Sequence, residues 1–244
     1  MRPGTVPSLR IDNRTLRDQV YDVLLRAIVD RHIKPGERLL LDDLAAQLNV
    51  SRTPVRDALS RLAAEELIEP NDGRGFRVTV LNADDLAHLY DLRMMCEQYA
   101  VERGTRNLTD GLLASMREAA DDCARLHGSH DPRDRLLTYL MDEEFHRTIV
   151  GLADNPRLVA FFARLNISVQ ALRVGPSPIT PEEARRSVLV EHGAILAALE
   201  ERDAVRAKEA IGAHISSALS RTLRSLELSQ REERAGGLAD LLVR

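Results

Sequence analysis

Four residues in the second half of this 244-residue chain have types and spacings that suit metal chemistry. Asp142 and His146 stand four apart and so share one helix face. His192 has Val188, Leu189, Ile195, Leu196 and Leu199 around it at helical spacing, in the middle of an apolar stripe. His214 is flanked in the same way by Ala210, Ile211 and Ala218. An inward carboxylate and three inward imidazoles on three helices could converge in a bundle core, although spacing alone does not bring them together. Any one of these histidines by itself reads as a hydrogen-bonded core residue. Asp142 tilts the balance, because a buried carboxylate needs a strong partner. One divalent cation with N/O ligands would satisfy all four groups and leave coordination positions open. The set suits zinc first, with nickel or manganese as alternatives. His32, His88, His127 and His130 have no such surroundings and read as surface or packing residues.

Arg93 and Glu97, again four apart, lie in a stripe with Leu86, Leu89, Tyr90, Ala100 and Val101, so both charges point at a core. The plain reading is an internal ion pair. The sharper one is that Arg93 presents its planar fork to a ligand carboxylate.

A third set lies near the start of the chain. Ser51, Arg52, Thr53 and Arg56 fall at the N-terminal end of a short helical pattern. There the helix dipole, exposed N–H groups and hydroxyls favour phosphate, and guanidinium forks can reach guanine O6 and N7. Arg74, flanked by Gly73 and Gly75 in a turn, could enter a minor groove or touch the backbone. Single exposed arginines usually do no more than solvate a surface. Here a short inter-helix turn, capping hydroxyls, arginines at i and i+4 and a Gly-flanked basic tip coincide, which favours DNA binding.

The elements that must position these residues are mostly helices. Aromatics make up only 3% of the chain, with no Trp, against a hydrophobic content of 44%. That balance favours packed helices over a sandwich or barrel. Leu16, Val20, Leu24 and Ile28 mark a first helix ended by Lys34-Pro35-Gly36, and Leu41, Leu44, Ala45 and Leu48 a second, with Asn49 suited to a left-handed C′ position. A third follows, with Ser51 or Thr53 as its cap and Val55, Ala58, Leu59 and Leu62 as its buried stripe. Extended runs at 67–70 and 76–80, joined across Asp72-Gly73, then give a hairpin. Three helices closed by a hairpin predict a winged helix-turn-helix over residues 1–80. From 81 to 228 six amphipathic helices are expected, at about 83–103, 109–127, 132–151, 155–173, 181–200 and 203–227, with a flexible tail at 229–244. The fold class is therefore mainly α, a winged helix-turn-helix followed by an all-α bundle.

Charge adds little. Residues 1–80 hold 13 Lys+Arg against 12 Asp+Glu, while the whole chain is at −4, so the clustering of the arginines matters more than their sum. Cys96 and Cys123 sit inside helical patterns, which argues against a disulfide framework. Neither a signal peptide nor an apolar run of the roughly 20 residues a membrane span needs is evident, and a cytoplasmic location is expected.

The run PGERLLLDDLAAQLNVSRTPVRDALSRLAAEELIEPNDGRGFRV resembles the winged-helix domain of the GntR family of bacterial regulators, and its SRTPVR core is quite specific to that family. The resemblance implies that Arg52 and Arg56 read or anchor DNA while Ser51 and Thr53 hold phosphates. Asn49 and Glu66 stand where that family usually has Gly, and Asp42 where some members carry a DNA-contacting Arg, so that contact does not carry over. LYDLRMMCEQYAVE, DEEFH, EHGAILAALEERDAVRA and His214 are similar to the FCD effector domain of FadR-type members, with six helices suggesting the shorter VanR-like form. This second resemblance implies a divalent metal on Asp142, His146, His192 and His214, and an organic-acid effector meeting Arg93 with Glu97 beside it. The expected function is a transcriptional regulator, a repressor acting as a homodimer on a pseudo-palindromic operator and answering to a small carboxylate. The alternative is a metal-dependent enzyme acting on small carboxylates, with a DNA-binding appendage and Glu97 or Glu143 as its base.

Overall fold

The computed structural model describes residues 15–29, 32–71, 73, 75–127, 132–172 and 179–242. The chain divides into two compact units, Met1–Val80 and Leu81–Arg244.

In the first unit, α1 (Leu16–Val29), α2 (Leu41–Leu48) and α3 (Arg52–Ala64) enclose a small core. Its buried members include Val20, Leu24 and Ile28 from α1 and Val55, Leu59 and Leu62 from α3, the stripes expected from periodicity. β1 (Arg38–Leu39), β2 (Ile68–Pro70) and β3 (Phe76–Val78) form an antiparallel sheet in the order β1-β3-β2. The hairpin thus gains a third strand from the extended stretch before α2, with Leu39 opposite Phe76. Gly75 makes this possible: it has φ +93, and a Cβ there would stand 2.5 Å from the Leu39 carbonyl oxygen.

α2 and α3 both end in Schellman turns. The N–H groups of Asn49 and Val50 donate to the carbonyls of Ala46 and Ala45, and those of Glu66 and Leu67 to the carbonyls of Ala63 and Leu62. Asn49 (φ 53) and Glu66 (φ 59) occupy the left-handed positions. One sequence expectation needs correction. Ser51 takes the N-cap position of α3, but its side chain makes no capping hydrogen bond.

The second unit comprises α4 (Ala83–Gly104), α5 (Asp110–Leu126), α6 (Pro132–Gly151), α7 (Pro156–Leu172), α8 (Pro181–Glu200) and α9 (Ala204–Leu242). Its main core contains Tyr90, Phe145, Ile149, Ile195, Leu199 and Ile211, while Phe162 of α7 packs in a smaller cluster with Cys96 and Val150. Capping boxes start α4 (Asn82 with Asp85) and α8 (Thr180 with Glu183). α4 and α9 run antiparallel, tied by Tyr90 to Thr222 at 2.7 Å and by Gln98 Nε2 donating to the Lys208 carbonyl at 3.1 Å. At Gly104 a Cβ would lie 1.8 Å from the Leu152 carbonyl oxygen, so the close approach of α4 to the end of α6 requires glycine.

The last helix is longer than periodicity predicts. Instead of stopping near 227 before a flexible tail at 229–244, α9 continues to Leu242. The segment SQREERAGGLADLL has no proline. Gly236 and Gly237 each cost a helix only about 1 kcal/mol, a penalty that does not by itself end one. Among the described residues, no helix is long and apolar enough to cross a membrane.

Candidate functional site

The third helix displays its polar end outward. Ser51, Arg52, Thr53 and Arg56 are all exposed, whereas Val55, Ala58, Leu59 and Leu62 on the opposite face are buried. Burial of that face fixes which way the arginines point. Arg52 Nε also lies 3.0 Å from Asp42 Oδ1 in the first turn of α2, with both side chains largely exposed. Sequence reading removed a contact at Asp42 but did not foresee this pair. Arg74 lies outside the described residues.

The second unit brings its chemically capable residues to one place. α4 supplies Arg93 and Glu97, α6 supplies Asp142 and His146, α8 supplies His192 and α9 supplies His214. All six are buried. One ligating nitrogen from each histidine lies within 4.8 Å of the others. Asp142 Oδ1 stands 3.7 Å from His146 Nε2 and 3.6 Å from His192 Nε2. These separations exceed hydrogen-bonding distance. Donors bound at about 2.0–2.1 Å to one ion sit a little over 3 Å apart; the three histidines are grouped closely enough to hold a metal ion, and Asp142 stands beside two of them.

Two carboxylates stand behind the imidazoles. Glu97 Oε2 is 2.7 Å from His146 Nδ1, and its other oxygen accepts Arg93 Nε at 2.9 Å. His214 Nδ1 lies 2.8 Å from Glu191 Oε2. A carboxylate on Nδ1 orients the ring, holds its proton there and leaves the Nε2 lone pair for a metal. Phe145 fixes His192 differently, stacking on it with centroids 4.2 Å apart.

Electrostatics agree with a ligand role. Burial drives the His192 pKa well below its usual value, aided by His214 and His146 and opposed by Asp142, so the ring stays neutral. Burial raises the Glu97 carboxyl, against the pull of Arg93. Glu191 is also raised by burial, but hydrogen bonds from His214 and Arg221 outweigh this and bring it down to about 2.

The residue chemistry therefore fits a divalent ion. Fully buried His192 has no hydrogen-bond partner on either ring nitrogen among the described residues. Such an orphan is costly unless something binds it. The same holds for Arg93, whose two terminal nitrogens have no hydrogen-bond partner, the nearer standing 3.9 Å from Asp142 Oδ2. Sequence reading missed Glu191, Ser217 and Arg221. Their signal was available, since His214, Ser217 and Arg221 fall on one α9 face.

A winged helix-turn-helix followed by a six-helix unit with a buried cluster of three histidines is an arrangement suited to a DNA-binding regulator. Comparison makes the assignment. Residues 16–78 match the family model for bacterial regulatory proteins of the gntR family, and residues 88–217 match the FCD domain. The chain belongs to the GntR family of transcriptional regulators, with an FCD domain as its second half. Over 134 residues it is 38% identical to the Nta operon transcriptional regulator of Aminobacter aminovorans, spanning 54% of this chain and 60% of that protein. It is 25% identical over 227 residues to the HTH-type transcriptional repressor NanR of Citrobacter rodentium, with 84% of each chain covered. The E. coli McbR/YncC structure shares the fold, with a TM-score of 0.69, 23% identity and coverage of 86% of this chain and 98% of that one. These relatives are regulators, and the enzyme alternative is set aside.

Proposed function

We propose that this regulator is a cytoplasmic repressor that binds a pseudo-palindromic operator as a homodimer and is controlled by a small carboxylate held beside a divalent metal. Arg52 and Arg56 read or anchor DNA, Ser51 and Thr53 hold phosphates, and Arg74, which lies outside the described residues, is the candidate for a minor-groove or backbone contact. Asp142, His146, His192 and His214 hold the metal, zinc foremost and nickel or manganese as alternatives. The observation that carries this reading is the pair of buried orphans. The His192 ring nitrogens and the Arg93 terminal nitrogens lack hydrogen-bond partners among the described residues while lining one polar centre. A neutral imidazole there suits a cation, and a buried guanidinium fork suits a carboxylate.

A bound divalent ion would supply positive charge and open coordination positions for an anionic oxygen. Arg93 orients that anion, using its terminal nitrogens while Nε stays on Glu97. Glu97 and Glu191 hold two of the imidazoles in their ligating orientation. Burial excludes water from the whole set, which strengthens each of these interactions. Repression is supported by the NanR relative, itself named as a repressor. The acid would act by differing in affinity for the DNA-bound and free states.

The test begins with a duplex selected from a random library by the purified, zinc-loaded protein. Arg56→Ala should lose specific affinity for it while remaining folded. A panel of small organic acids should contain members that change wild-type affinity but leave Arg93→Met unresponsive. Retained specificity in Arg56→Ala, or a normal response in Arg93→Met, would refute the assigned roles.

A further inference from the structure

Behind His214, on the side away from the proposed metal position, four donors converge on one carboxylate. Glu191 precedes His192 on α8, so one turn of that helix presents an imidazole to the polar centre and a carboxylate to α9. From α9, His214, Ser217 and Arg221 meet it, at spacings of three and four that put them on one stripe. Oε2 is 2.8 Å from His214 Nδ1 and 2.9 Å from Arg221 NH2. Oε1 accepts Ser217 Oγ at 2.9 Å and Arg221 NH1 at 2.7 Å. NH1 of Arg221 also donates to Ser217 Oγ at 2.6 Å.

The partners differ in burial. His214 is 4% exposed at its side chain, Glu191 17% and Arg221 23%, so the chain of contacts leads from the polar centre toward the surface. The two backing carboxylates also differ in what else they hold. Glu97 divides itself between His146 and the Arg93 that awaits an anion. Among the described residues, the other donors on Glu191, Ser217 and Arg221, also come from α9. Arg221 grips both oxygens as a fork, which fixes the plane of the carboxylate as well as its position.

We infer that Glu191 is the positioning residue of the metal site: clamped by Arg221 and Ser217, it fixes the His214 tautomer and ring orientation, and so sets how tightly the site holds its ion. The inference rests on the metal reading above. A Gln in this place has one acceptor oxygen, and its amide N–H₂ opposes either His214 Nδ1–H or the Arg221 fork. Loss of such a backing group typically costs about 10–100-fold in metal affinity.

The test uses the full-length chain with ¹⁵N-labelled histidine, read twice. In the metal-free protein, nitrogen chemical shifts report the His214 tautomer. With zinc, competition against a chelator of known affinity reports binding. Wild type should show His214 protonated on Nδ1, whereas Glu191→Gln should show a mixed or reversed tautomer and about 10–100-fold weaker zinc binding. Arg221→Gln, at the more exposed edge, leaves the His214 contact in place but frees the carboxylate to swing, and should fall between the two. It carries the test if Glu191→Gln does not fold. An unchanged tautomer with zinc affinity within 2-fold of wild type in the variants would overturn the inference. Absence of zinc binding in wild type would instead overturn the metal reading, and the inference with it.

Discussion

Glu97 Oε2 lies 2.7 Å from His146 Nδ1 while Oε1 of the same carboxylate accepts Arg93 Nε at 2.9 Å. One buried group therefore joins the residue proposed to receive an acid to a residue proposed to hold a metal. An anion drawn to the Arg93 terminal nitrogens would weaken the pull of Arg93 on Glu97. The carboxylate would then be a stronger acceptor for His146 and would make that ring a better ligand.

Acetate, the simplest carboxylate probe, should therefore tighten zinc binding in the wild-type protein, by about 5-fold or more if the coupling is of ordinary size. In Glu97→Gln the enhancement should collapse toward unity. The check is a zinc titration against a chelator with and without acetate. An equal enhancement in both proteins would remove Glu97 from the coupling.

The low His192 pKa has a consequence for stability. Burial keeps the ring neutral in the folded chain, while the unfolded chain takes up a proton as pH falls through about 6.5. Below that value the unfolded state binds more protons, so metal-free protein should lose stability on acidification, by about 1.3 kcal/mol in total between about pH 7 and pH 5.5 for this one group. Denaturant unfolding at pH 7 and pH 5.5 measures the slope, and His192→Gln should flatten it. A slope unaffected by His192→Gln would contradict the assignment.

The Asp42–Arg52 pair is exposed and contributes little to stability. Its effect should be on DNA. Asp42→Asn removes a negative charge from the face proposed to meet phosphate and frees Arg52. Affinity for random-sequence duplex should rise, and the dependence of log K on log salt should steepen by up to about one ion. Filter binding or fluorescence anisotropy across a salt series would show it, with unfolding free energy unchanged within about 0.5 kcal/mol. Weaker binding by Asp42→Asn would instead mean that the carboxylate helps to hold the DNA.

Glu66 sits exposed at φ 59, closing α3 in a position that suits glycine. Glu66→Gly relieves a left-handed side chain that costs about 1–2 kcal/mol, partly offset by the greater freedom of glycine when unfolded. A net gain of about 0.5–1 kcal/mol is expected from chemical denaturation. A loss would mean that the Glu66 side chain makes a stabilising contact.

Much of this was legible in the residues. Periodicity marked the inward stripes of α4, α6, α8 and α9, because a buried helix face selects apolar neighbours around any polar residue it carries. That is why Arg93, Glu97, Asp142, His146, His192 and His214 could be singled out one helix at a time. Which of them meet was not legible: the Glu97–His146 contact joins residues 49 positions apart, and the His214–Glu191 contact depends on how α8 lies against α9. Pairings of that kind are set by helix packing and leave no local spacing to read. The course of α9 past residue 227 was missed for the opposite reason, since a charged run with two glycines looks like a tail although nothing in it forbids helix. Ser51 shows the limit of capping signals: the residue type and position were right, but the hydrogen bond is not made.

The central claim is that Asp142, His146, His192 and His214 form one metal site, and elemental analysis tests it most directly. Protein stripped with chelator, loaded with zinc and desalted should retain about one zinc per chain, and His146→Ala prepared in the same way should retain almost none. Loaded wild type without zinc, or His146→Ala with as much zinc as wild type, would contradict it.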